Sequence, residues 1–170
     1  MSIKYLGEEF DIHGGGLDLK FPHHENEIAQ AECATERNFA SLWMHTGPLR
    51  IEDKKMSKSL KNFITVKDIL KDFHPEVLRL FFLLTHYRSP ISYSKEGLEN
   101  AKRVLDKFYT LFSDIKTPGK FNEDKTFREE FISAFQDDFN SPKALSLLQA
   151  YAANTAVSYT HLRAHETPTN

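Results

Sequence analysis

The clearest periodicity lies in the second half of the chain. Val77, Leu78, Leu80, Phe81 and Leu84 recur at helical spacing after the His74-Pro75 start signal, and Arg88-Ser89-Pro90 ends the run. Leu98, Ala101, Val104, Leu105, Phe108, Leu111 and Phe112 keep a three-to-four spacing behind Ser94, a plausible N-cap. The pattern predicts further helices over Val66–Phe73, Phe127–Asp138 and Ser141–Ala153, the last opened by Asn140-Ser141-Pro142.

The first third reads differently. Residues 4–13 suggest a short strand running into a glycine turn at Gly14-Gly15-Gly16. From Pro22 to about Glu36 helix formers dominate, with Ile28, Ala31 and Ala34 as the expected apolar stripe. Phe39–Asp53 reads as two short β segments around the Gly47-Pro48 turn. Lys54–Asn62, KKMSKSLKN, is polar and non-periodic, hence an exposed loop.

Strands confined to the first third and helices after it give an α/β part followed by an all-α part. The expected divisions are 1–64, 65–117 and 118–154, with KTPGKFNEDK around Pro118-Gly119 as a linker. Residues 155–170, which include VSYTHLRAHETPTN, lack apolar periodicity and read as a disordered tail.

Composition narrows the function classes. The chain is 40% hydrophobic and 27% charged with formal net charge -2, so no general nucleic-acid or anionic-membrane surface is indicated. Its single cysteine, Cys33, excludes an internal disulfide and fits a reducing compartment. No apolar run is long enough to span a bilayer, and the start lacks a secretion signal, so a cytoplasmic location is expected.

Candidate chemistry concentrates in HGGGLDLKFPHHENE, His13–Glu27. His23 and Glu27 are four apart, so a helix sets them on one face, one turn apart, and zinc accepts both donors. A helix start with solvated polar residues, Glu near the positive dipole end, has the same pattern. Gly14 to Gly16 permit close backbone approach to a ligand, and Asp18 stands where an acid could accept ribose hydroxyls; a plain tight turn is the simpler account of both. Lys55-Met56-Ser57-Lys58-Ser59 puts two ammonium groups and two hydroxyls on one loop, a tool for binding phosphate.

KMSKS is a signature loop of class I aminoacyl-tRNA synthetases. With FDIHGGGLDLKFPHHENEIAQAE, WMHTG, KMSKSLKNF, LRLFFLLTHYRSPISYS and DDFNSPKAL, the chain resembles the cysteinyl-tRNA synthetases over about residues 1–153. The resemblance implies a Rossmann-type catalytic domain whose C-terminal part is 1–64, a helical stem-contact region at 65–117, and the start of a helical anticodon-side domain at 118–154. It implies zinc on His23 and Glu27, completed by two cysteines from earlier in such an enzyme. It further implies a catalytic loop of Lys55, Met56, Ser57, Lys58 and Ser59, with ATP and magnesium bound by Lys58 with help from Lys55; Ser57 and Ser59 set the loop's shape, and Gly14, Gly15, Gly16 and Asp18 line the adenosine pocket.

The implied partners are L-cysteine and tRNA(Cys), with no membrane and a monomeric state. The HIGH motif of the family has no counterpart here, so the chain reads as an internal piece, inactive alone. His13, His24 and His45 receive no role. Two other readings stay open: a related ligase joining cysteine to glucosaminyl-inositol, and a non-catalytic tRNA-binding helical fragment.

Overall fold

The computed structural model describes residues 2–51, 54, 55, 64–114 and 124–165, with side chains left undescribed at Lys54, Lys55, Asp114 and 156–165. These residues fall into two compact units, Met1–Asn62 with Tyr87–Ser92, and Phe63–His86 with Tyr93–Asn170.

The first unit opens on a short helix, α1 (Ser2–Leu6), where the sequence pattern suggests a strand. The strand β1 begins later and ends later, at Phe10–Gly16, so the three glycines lie inside it rather than in a turn beyond it. It pairs in parallel with β2 (Ala40–Thr46), with His13 opposite Trp43 and Gly15 opposite His45. The connection between the two strands is a crossover, as parallel pairing requires. It runs through a single 3₁₀ turn, Leu17–Leu19, a wide turn at Lys20–His24 with extended backbone at Phe21, and α2 (Glu25–Thr35).

A left-handed residue, Glu36 at φ 56, ends α2, and its N–H donates to the Glu32 carbonyl. The inward face of this segment is His24, Glu27, Ile28, Ala31 and Thr35, a helical stripe of which His24 and Ala31 are buried. Ala34, expected in that stripe, is exposed instead.

Beyond Gly47-Pro48, β3 (Leu49–Ile51) is central in a second small sheet. It pairs antiparallel with β4 (Lys54–Lys55) and lies beside β5 (Ile91–Tyr93) on its other edge. The Gly47 N–H donates to the Tyr87 carbonyl at 2.8 Å, and the Ile91 N–H to the Pro48 carbonyl at 3.0 Å. Residues 87–92 thus return to the first unit after an excursion into the second.

The second unit is helical. α3 (Val66–Ile69) is shorter than its sequence pattern suggests and is capped by the Thr65 hydroxyl, which accepts from the Asp68 N–H. α4 (Pro75–Leu83) starts at its proline and buries Val77, Leu78, Leu80 and Phe81. α5 (Lys95–Asp114) follows Ser94, whose hydroxyl accepts from the Gly97 N–H at 3.0 Å, the expected cap. Leu98 and Ala101 of α5 are wholly buried. Gly97 makes the approach to α4 possible: a methyl group there would come within 2.9 Å of the Phe81 ring.

α6 (Lys125–Gln136) and α7 (Ser141–His165) form a hairpin through two left-handed residues, Asp138 and Phe139. Phe127 stacks on Tyr151 at 4.3 Å between ring centroids, and Ala134 and Ala144 are fully enclosed. The helix α7 continues past Ala153, through residues read from sequence as a tail. Alanines at 150, 152, 153, 156 and 164, with no proline between Pro142 in the first turn and Pro168, give the helix no reason to stop. The linker KTPGKFNEDK lies almost wholly outside the described residues. No helix among the described residues is long and apolar enough to cross a membrane.

Candidate functional site

The site grows out of the period of two in the paired strands. His13 and Gly15 of β1 share a face with Trp43 and His45 of β2, because alternate residues point to one side of a strand. The helical stripe of the crossover lies against that face. The chain therefore packs imidazoles, an indole and a carboxylate where most small domains place aliphatic side chains.

Trp43 is the hub of this cluster. Its ring centroid lies 4.7 Å from that of His13 and 5.1 Å from that of His24, and it stacks on His45 at 6.3 Å with an interplanar angle of 11°. Phe39, 4% exposed, and Phe10 close one end, their rings edge to face at 4.8 Å.

His23 and His24 are adjacent in sequence but divided in role. Helical residues turn about 100° each, so neighbours cannot share a face. His23 points outward, its side chain 59% exposed, whereas His24 is buried at 3%. One nitrogen of the pair His24 Nδ1 and His45 Nε2 donates to the other across 2.8 Å. Burial is the main reason His24 holds its proton less readily than a free imidazole; His13 and His45 add to the effect and Glu27 opposes it.

Glu27 stands between the histidines. Its Oε1 is 3.7 Å from His23 Nε2, the one-turn pairing expected from the spacing of four. Its Oε2 is 3.0 Å from His13 Nε2. That second oxygen is shut off from solvent and accepts no aligned hydrogen bond, so the short distance to His13 is proximity rather than a satisfied bond. Nitrogen and oxygen donors in this arrangement suit a zinc ion, and a buried carboxylate oxygen without a donor is the sort of group that a cation relieves.

His13, His24 and His45 are the site residues that sequence reasoning left without a role. The signal for His13 was its two-residue step from Gly15, opposite Trp43 and His45; the signal for His24 was its place three and seven residues before Glu27 and Ala31 on one helical face.

The other expected residues fall as follows. Gly14, Gly15 and Gly16 are in the β1 ladder, and Asp18, exposed, follows at the carboxyl end of that strand. Met56, Ser57, Lys58 and Ser59 lie outside the described residues. Lys55 is described in its backbone only, opposite Arg50.

Comparison with known proteins adds family to this geometry. The profile described as the tRNA synthetases class I (C) catalytic domain matches residues 1–103. A cysteine–tRNA ligase of Hydrogenovibrio crunogenus is 51% identical over 148 residues, covering 87% of this chain and 32% of the relative. One of Legionella pneumophila is 49% identical over 166 residues, covering 97% of this chain and 36% of the relative. The chain thus spans about a third of the length of the curated relatives it matches. Among solved structures, a LeuRS in ternary complex with tRNA and LeuAMS, from Agrobacterium radiobacter K84, superposes with a TM-score of 0.64. It shares 17% identity and covers 84% of this chain and 22% of its own, a likeness of fold alone.

Proposed function

This chain belongs to the family of class I (C) tRNA synthetase catalytic domains, and on that premise we propose that it serves the ATP-dependent ligation of cysteine to tRNA(Cys) in the cytoplasm. The observation that carries the reading is the identity of about half its positions with cysteine–tRNA ligases over most of its length. The paired His23 and Glu27 supply the chemical rationale.

In the first half-reaction the cysteine carboxylate attacks the α-phosphate of ATP, giving cysteinyl-adenylate and pyrophosphate. In the second, a ribose hydroxyl at the tRNA 3′ end attacks the acyl carbon, giving cysteinyl-tRNA and AMP. Lys58 stabilises the charge that grows on the α-phosphate and on the leaving pyrophosphate, with magnesium and Lys55 sharing that load. Ser57 and Ser59 would set the shape of the same catalytic loop, to which Met56 also belongs. Gly14 to Gly16 and Asp18 line the adenosine pocket, the acid accepting from ribose hydroxyls at the carboxyl end of β1.

His23 and Glu27 would hold a zinc ion, whose borderline-soft character favours a thiolate over a hydroxyl and so separates cysteine from serine. The inward stripe of the crossover fixes Glu27, and its exposed neighbour His23 remains open to a substrate. The domain assignments follow the same premise. Residues 1–64 are the end of a Rossmann-type catalytic domain, 65–117 a stem-contact region, and 118–154 the opening of an anticodon-side domain, in a monomeric enzyme.

A chimera tests the proposal: this chain replaces the matching third of the Hydrogenovibrio ligase, and cysteine-dependent ATP–pyrophosphate exchange is measured. Lys58→Ala is expected to slow exchange by about a hundredfold or more, the scale of losing one transition-state donor. Glu27→Ala is expected to erase most of the preference for cysteine over serine. An unaltered preference in Glu27→Ala would overturn the zinc assignment, and a chimera without cysteine-dependent exchange would overturn the function.

A further inference from the structure

We propose that residues 87–91 are a positioning strap for the phosphate-binding loop: they clamp the Gly47-Pro48 turn, the turn sets β3, and β3 sets the main chain of Lys55. The segments WMHTG and HYRSPISYS both carry the family resemblance. The fold brings them together inside the first unit, to which Tyr87–Ser92 belong.

Two backbone hydrogen bonds make the clamp. The Gly47 N–H donates to the Tyr87 carbonyl at 2.8 Å, and the Ile91 N–H donates to the Pro48 carbonyl at 3.0 Å. Between these bonds the two stretches of chain approach so closely that position 47 has room for glycine alone. A methyl group there would overlap the Ser89 carbonyl and come within 2.8 Å of the Arg88 carbonyl oxygen. These are main-chain atoms, so no change of rotamer relieves the clash; the strap or the turn must move.

β3 starts directly beyond the clamp, at Leu49, and is central in its sheet. On one edge it pairs with β4, where Arg50 faces Lys55 and Ile51 faces Lys54. A ladder of a three-residue and a two-residue strand is marginal by itself. Its rigidity has to come from whatever holds β3. The strap holds the start of β3 through the clamp, and continues into β5 on the other edge. Lys55 opens the KMSKS run, so this ladder fixes where the lysine-bearing loop leaves the fold. A reacting group misplaced by about 1 Å can lose about a hundredfold in rate, and groups on a rigid support are placed best.

The inference rests on the reading of this loop as the holder of ATP's phosphates. Gly47 touches no substrate; it is a positioning residue, acting through β3.

The test applies Gly47→Ala in two settings. In the 170-residue chain, hydrogen exchange read by mass spectrometry should quicken at least about tenfold over Leu49–Ile51 and stay within about threefold over Glu25–Thr35 of α2. In the chimera with the Hydrogenovibrio ligase, kcat for cysteine-dependent pyrophosphate exchange should fall at least about tenfold, with the KM for cysteine within about twofold. In the Lys58→Ala background the same change should cost at most about threefold, because a loop without its main cation gains little from being well placed.

Unchanged hydrogen exchange at Leu49–Ile51 overturns the clamp. Faster hydrogen exchange over α2 as well, or a raised KM for cysteine, makes Gly47 a general structural residue and overturns the positioning role. So does a loss of kcat that persists in full with Lys58→Ala. If the chimera with the parent chain shows no pyrophosphate exchange, the functional reading falls and the positioning role with it, while hydrogen exchange still decides the clamp. If Gly47→Ala does not fold by circular dichroism, Ile91→Pro, which deletes the N–H bonded to Pro48, is judged by the same readouts.

Discussion

The two units bury different mixtures of side chain. In the second, Ile69, Val77, Leu78, Leu80, Phe81, Leu98, Ala101, Ala134 and Ala144 are buried, and Ser141 is the one buried polar residue among those described. In the first, His24 is buried together with Ala31 and Phe39, and around it stand the inner oxygen of Glu27, His13 and Trp43. An apolar core is a source of stability and little else. A core of imidazole and carboxylate gives up part of that stability to hold groups that bind.

The contrast is sharpened first where burial is complete. Leu98→Ala should destabilise the second unit by about 2–5 kcal/mol, read from urea or thermal melts, because a wholly enclosed leucine leaves a cavity behind. A cost near zero would mean that the helical core is loosely packed and the contrast overstated. Gly15→Ala comes next. Forcing a methyl group against His24 should cost about 1–3 kcal/mol, the usual range for overpacking. If the melt is unaffected, the histidine core is plastic rather than built to shape.

Ser94→Ala removes a cap on the apolar side of the comparison and should cost about 1 kcal/mol. The smallest effect is electrostatic. The Lys71 ammonium, bonded at 2.7 Å, and the Thr65 hydroxyl hold the Asp68 carboxyl below its ordinary range. A carboxyl whose folded pKa is depressed stabilises the fold above its unfolded pKa and ceases to do so as pH falls through the folded one. The advantage of the parent over Asp68→Asn in thermal melts should therefore be present at neutral pH and fade in acid. It should also be small, because the pair is exposed and screened.

This division also explains what could be read from sequence. The helices of the second unit announce themselves because Leu98, Ala101, Val104, Leu105 and Phe108 are apolar at the positions that face inward. In the first unit the inward stripe is His24, Glu27, Ile28, Ala31 and Thr35, and polarity hides the periodicity. Ala34 was drawn into the stripe for its apolar side chain, although its angular position points it to solvent. The glycines read as a turn because glycine is rare inside strands; their place in β1 follows from what packs above Gly15, which no local rule records.

The spacing of His23 and Glu27 was legible, and the fold sets them as a helix would. The nearness of His13 to Glu27 depends on the pairing of β1 with β2 and on the crossover between them, a long-range fact that a motif search along the chain does not reach.

Residues 87–92 return to the first unit after the chain has already entered the second, and the chain then leaves again. Neither unit is therefore one uninterrupted stretch of polypeptide. A cut after β5 yields the histidine-bearing half with all its strands only together with α3 and α4, which belong to the other half. Severed there, the helical half would lose Val77, Leu78, Leu80 and Phe81 from its core.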